Sequence, residues 1–165
     1  MADLRLTLTQ SVVGSTSKTA GLSSVVESIN NVVKRVIAYG TGNNQANKVY
    51  TLKDQSIAAS GVLDVDLSGA LVDAYGVACV FTKVKALQVV NKSAIAVITI
   101  GNDAASFVGP FGDKTHTITL QPGESIMLTN ILVGWTVTAG TADILQITND
   151  DGAEIALVDV MVVGL

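Results

Sequence analysis

Thr115-His116-Thr117-Ile118-Thr119-Leu120 and Ser125-Ile126-Met127-Leu128-Thr129 stand on either side of Gln121-Pro122-Gly123-Glu124. Each run has the length and residue types of a strand, and the first alternates apolar and polar positions. Pro followed by Gly in a four-residue connection is a strong turn signal. Residues 115–129 therefore predict a β-hairpin, and the rest of the chain reads outward from it in the same idiom.

Upstream, Ile57-Ala58-Ala59 leads through Ser60-Gly61 into Val62-Leu63-Asp64-Val65-Asp66-Leu67. Alternation there puts Leu63, Val65 and Leu67 inward and Asp64 and Asp66 outward. Val77 to Phe81 and Val84 to Val90 read as two further strands. Ala94 to Ile100 is a continuous apolar run closed by Gly101-Asn102-Asp103. Downstream come Gly134-Trp135-Thr136-Val137-Thr138, Asp143-Ile144-Leu145-Gln146-Ile147 and Glu154 to Val163, with Asn149-Asp150-Asp151-Gly152 as a tight turn. Roughly eight to ten short strands at 8–12-residue spacing predict a β-sandwich or barrel. No glycine-rich helix opening follows a strand, which disfavours parallel α/β units.

The first third is less regular. Leu4, Leu6 and Leu8 alternate with Arg5, Thr7 and Thr9, as in a half-buried strand or an extended arm. Ser15 to Gly21 reads as a loop. In 22–37, Leu22, Val25, Val26, Ile29, Val32, Val33, Val36 and Ile37 follow the i, i+3, i+4, i+7 rule and predict a short helix. The valines and isoleucines among them would also suit a strand. Gly40 to Gln45 is a loop. The expected division is an arm with a helix over 1–53 and a β-sandwich over 54–165.

Charged residues are 15 % of the chain and hydrophobic ones 48 %, against roughly 25 % charged in an average domain. Weakly charged apolar surface favours burial against a partner. Residues 1–53 carry six Lys or Arg against two acidic residues, net +4. Residues 54–165 carry four against twelve, net −8, and the two halves sum to the net −4 of the whole. A basic leading segment on an acidic body suggests docking on an acidic surface. Leu4, Arg5, Leu6, Leu8, Lys18, Lys34 and Arg35 are accordingly the candidate interface residues.

Little in the sequence suggests catalysis. The single histidine, His116, and single cysteine, Cys79, do not make up the usual zinc ligand sets. No Gly-x-Ser-x-Gly elbow accompanies His116. Cys79 lies in the apolar run 77–81 and reads as a small buried hydrophobe. Asp64 with Asp66, and Asn149 with Asp150 and Asp151, lack the spacing of a calcium loop. Gly40-Thr41-Gly42 lacks the Lys-Ser/Thr end of a phosphate loop. The acidic body and seven aromatic residues disfavour nucleic acid. No stretch has the ~20 apolar residues of a membrane span, and the start lacks a signal-peptide pattern. Trp135 reads as a core or interface anchor.

One resemblance adds to this. Gly40-Thr41-Gly42, Gln45-Ala46-Asn47-Lys48-Val49, Ala58-Ala59-Ser60-Gly61, Leu63 to Gly69, Asp73-Ala74-Tyr75-Gly76 and Phe81 to Ala86 come first. Gln121 to Glu124 and Gly134 to Val137 follow in order. Over residues 40–165 the chain resembles jelly-roll virion proteins of tailed bacteriophages, of the capsid cement or decoration type. The resemblance implies an all-β, jelly-roll-like sandwich and a structural, non-enzymatic subunit on the virion, assembled in the host cytoplasm. The partners it implies are the major capsid protein and copies of the chain itself, as a homotrimer. It implies no catalytic residue, cofactor, metal, nucleic acid or membrane. The alternatives are a tail, baseplate or fibre subunit contacting the host, and a small hydrolase using His116.

Overall fold

In the computed structural model, which describes residues 4–21 and 23–165, strands account for all the regular structure. They are β1 (Arg5–Ala20), β2 (Ser23–Tyr39), β3 (Gln45–Ala46), β4 (Lys48–Ile57), β5 (Val62–Asp66) and β6 (Lys83–Asn91). β7 (Ile98–Gly101), β8 (Thr117–Leu120), β9 (Ser125–Thr129), β10 (Trp135–Thr136), β11 (Ile144–Asn149) and β12 (Ala156–Gly164) follow. Two compact units meet between Tyr39 and Gly40. Residues 40–53 thus belong to the second unit, since β4 runs through position 53.

The first unit is a single antiparallel ribbon. β1 and β2 pair without a break from Arg5↔Ala38 to Ala20↔Ser23. Sixteen residues at about 3.3 Å each give a ribbon roughly 50 Å long. Two sequence expectations fail here. Ser15 to Ala20 is strand rather than loop, and 23–37 is strand rather than helix. Leu22, the first position of the expected helix, lies outside the described residues. Every third or fourth residue being apolar satisfies a helix, but here those residues are valine and isoleucine, which lose more χ1 freedom in a helix than in a strand. A full-length antiparallel partner then decides between the two.

The second unit is a sandwich of two antiparallel sheets. One has the order β4-β12-β6, with β9 and β10 sharing the far edge of β6. The other has the order β5-β11-β7-β8. The pairings are nested: β7 with β8, β6 with β9, β5 with β11, and β4 with β12. This is the pattern of one long folded-back hairpin. Further pairing of β12 with β6 and β11 with β7 joins these pairs into the two sheets.

The inward rows of both sheets make the core. Val158, Val160 and Val162 of β12, Val84, Leu87 and Val89 of β6, and Leu145 and Ile147 of β11 are buried there with Ile98, Ile100, Phe81 and Phe107. Each such side chain contributes about 1.5–3 kcal/mol over its exposed state. Val65 and Leu67 face inward as expected, and Trp135 packs half-buried against this cluster.

Two other expectations are corrected. The Pro122-Gly123 turn forms, with Glu124 N–H donating to Gln121 O at 3.0 Å and Gln121 N–H to Glu124 Oε2 at 2.7 Å. Yet β8 pairs with β7 and β9 with β6, so 115–129 is a corner between sheets and not a hairpin. A turn signal fixes where the chain reverses. Which sheet receives the next strand is set by contacts far away in sequence. Val77 to Phe81 forms no strand either, holding a single bridge from Ala78 to Val72.

Candidate assembly surface

The ribbon is where the molecule departs from ordinary soluble packing. Facing residues of an antiparallel pair point the same way, and successive residues point opposite ways. One face of the ribbon carries Val12, Val25, Ile29 and Val33, and the other carries Val13, Val26, Val32 and Val36. All eight are 39–68 % exposed. The expected helical stripe is therefore real as a pattern, but the strand divides it between two faces and leaves both open to solvent. An isolated two-stranded ribbon is at best marginally stable in water.

The sequence-derived interface residues separate in this setting. Arg5, Lys18, Lys34 and Arg35 are exposed, Leu4 and Leu6 are half-buried, and Leu8 is 5 % exposed. Leu8 is thus buried within the single chain, as is Ile37. The charges also cluster: Arg5, Lys34 and Arg35 sit at the root beside Ala38, while Lys18 and Glu27 sit near the tip. Between them, residues 6–17 and 28–33 carry no charge. Near the tip, Thr16, Ser17, Lys18, Val25 and Glu27 border an open depression of about 310 Å³.

On the body, the candidate chemical residues are occupied in holding turns. His116 lies just before β8, exposed, with Nδ1 2.9 Å from Phe111 O. Cys79 is buried, and burial, with the nearby Asp73 charge, pushes its thiol above the ordinary range. Asp64 accepts from Gln146 Nε2 at 3.0 Å, and Asp66 accepts from Ser68 N–H at 3.1 Å. Asp151 accepts from the N–H groups of Ala153 and Glu154, which hold its carboxyl below the usual range. Asp150 accepts from Thr99 Oγ1 at 2.6 Å. Among the described residues no three His, Cys, Asp or Glu side chains group as metal ligands. Among the described residues no helix is long and apolar enough to cross a membrane.

Sequence reasoning missed three features of the body. Opposite Val158–Val160, β4 carries an extra residue, with Asp54 in the left-handed region at φ 53°. Asp159 Oδ1 accepts from Asp54 N–H at 2.7 Å, and Lys92 Nζ pairs with Asp54 Oδ1 and, at 3.5 Å, with Asp159 Oδ2. Lys92 holds the Asp54 carboxyl below its ordinary value, and is itself raised by that bond. Second, Lys85 is buried, its Nζ donating to Leu132 O at 2.6 Å and Ile131 O at 3.3 Å. It fixes a loop whose tip, Leu132-Val133, is exposed. Third, Val72, Tyr75, Val77 and Val80 form an exposed apolar loop, ordered by Asp73 Oδ1 accepting from the N–H groups of Tyr75 and Val77. Composition hints at such apolar surface, but no motif locates it.

Comparisons with protein-family models and with curated proteins find no match to this chain.

Proposed function

We propose that the chain is a structural subunit of a virion, a capsid cement or decoration protein that joins the major capsid protein to copies of itself and stabilises the shell. The observation that carries an assembly role is the ribbon: eight valines and isoleucines lie open on two faces of an element without a core of its own. A soluble monomer rarely exposes apolar area of this extent without a use for it. The virion assignment draws on the resemblance of residues 40–165 to phage jelly-roll subunits. The nested strand pairings and the sheet orders β4-β12-β6-β9 and β5-β11-β7-β8 support reading the body as a jelly roll of two Greek keys. The cationic root of the ribbon suits an acidic docking surface.

Co-sedimentation with capsids stripped of their accessory proteins tests this. The full chain is expected to saturate the shell at a fixed stoichiometry and to raise its disruption temperature. A chain lacking residues 1–39 is expected to stay in the supernatant. Absence of binding by the full chain would refute the cement reading.

A further inference from the structure

Both sheets of the body end in strands whose outer edges have no strand partner among the described residues. These are β4 in one sheet, β5 and β8 in the other, and β9 and β10 along β6. β5, β8, β9 and β10 are five, four, five and two residues long. Edges that short offer another chain few backbone hydrogen bonds. β4 has ten residues. Its run Val49-Tyr50-Thr51-Leu52 is rich in the residue types that favour strand pairing. By length alone it is the edge of the body most open to a second chain.

It is also the edge that is broken. Val158 pairs with Gln55 and Val160 with Leu52, so Lys53 and Asp54 together oppose Asp159. Lys53 and Asp54 are both exposed, while Leu52 on one side and Ile57 on the other pack on the core. The extra residue thus adds a second outward charge without turning the rest of the strand over. Asp54 takes φ 53°, a region sparsely populated outside glycine. Residues from three places hold it there. Asp159 Oδ1 of β12 accepts from the Asp54 N–H at 2.7 Å, and Lys92, in the corner after β6, pairs with both carboxylates. Exposed ion pairs of this kind contribute little stability, so stability alone does not account for the arrangement. The outer strand of the ribbon shows the reverse. β1 is sixteen residues long, pairs with β2 without a bulge, and carries no charge from Leu6 to Ser17.

We propose that the Lys53–Asp54 bulge, locked by Lys92 and Asp159, is a guard on the β4 edge. It bends and charges the strand at mid-length, so that β4 of a second copy cannot add to it and extend the sheet from one body into the next. The partner it excludes is another copy of this chain, the one strand always present at matching concentration. The guard belongs to the body and holds whether or not the ribbon assembles.

The test is hydrogen exchange of the full chain and its variants at two concentrations about a hundredfold apart, read at the β4 amides. About half of these amides point away from β12. In wild type their exchange is expected to be independent of concentration. Deleting Asp54 sets Lys53 alone opposite Asp159 and keeps the inward residues inward. In that chain the outward amides are expected to slow about tenfold at the higher concentration, with a matching rise in sedimenting mass over wild type. Lys92→Met combined with Asp159→Val removes the lock and not the extra residue, and is expected to show the same gain to a smaller degree. Asp54→Gly keeps the extra residue at ease at positive φ and is expected to behave as wild type. Amides of β6 and β12 as slow as in wild type show that a variant has folded. Wild-type β4 amides that gain protection with concentration would overturn the proposal. So would a folded deletion chain without that gain or, if the deletion chain does not fold, a folded Lys92→Met, Asp159→Val chain without it.

Discussion

Asn91 and Asn149 hold two corners of the sandwich with the same device. Each ends a strand, is fully buried, and accepts at Oδ1 from the N–H two residues on, Ser93 or Asp151, at 3.0 Å. Each donates from Nδ2 to the carbonyl five residues on, Ala96 at 2.9 Å or Glu154 at 2.8 Å. Each also reaches a neighbouring strand end, Leu120 O from Asn91, Ile57 and Ala58 O from Asn149. Replacement by Ala strands buried donors and acceptors, which cost about 1–3 kcal/mol apiece. Asn91→Ala and Asn149→Ala are each expected to lose roughly 2–4 kcal/mol in urea unfolding, with an unchanged m-value. A loss within error would contradict the assignment. At the β4 bulge the sign follows from Lys92. The lowered Asp54 pKa gives stability that is present above the usual carboxylate range and lost as pH falls through the lower folded value. The raised Lys92 pKa gives stability present below the usual ammonium value and lost as pH rises through the higher one. Both groups are at the surface, so the effect is small. Asp54→Asn still tolerates φ 53° and is expected to flatten the acid limb of Tm against pH.

At the level of elements, the strand periods were legible and their partners were not. Val62 to Leu67 alternates cleanly, and β5, β6, β11 and β12 lie where the pattern put them. Gln121 to Glu124 correctly announced a turn, but its flanking strands enter different sheets because nothing local encodes a crossover. The 22–37 segment misled for a physical reason: doublets spaced three and four apart satisfy a helix stripe and a two-faced strand equally. The valine and isoleucine content was the better guide. On the assembly proposed here the ribbon would draw its order from neighbouring copies, and its backbone protection should then depend on assembly. Hydrogen exchange at two protein concentrations is expected to show ribbon amides, 5–20 and 23–39, protected only in the assembled sample. Amides of β6 and β12 should be equally slow in both.

For the molecule as a whole, the division at Tyr39–Gly40 separates a self-sufficient core from an element without one. The candidate interface was half legible: composition and the basic bias pointed to the first third of the chain. The charges proved to mark the root, with Lys18 alone among the basic ones near the tip, and Leu8 is buried. The apolar doublets that make the surface were visible in sequence but were assigned to the wrong period. Deleting residues 1–39 is expected to leave the body folding cooperatively, with Tm within a few degrees of the full chain. Ile147→Ala in the core is expected to cost about 2–5 kcal/mol in either. A deletion chain that fails to fold would show that the core extends into the ribbon.

The most direct measurement is sedimentation of the full chain over a hundredfold range of concentration, beside the chain lacking residues 1–39. The account predicts a discrete species of three or more copies for the full chain and a monomer for the shortened one. A full chain that stays monomeric, or a shortened chain that still assembles, would contradict the claim that the ribbon builds the assembly.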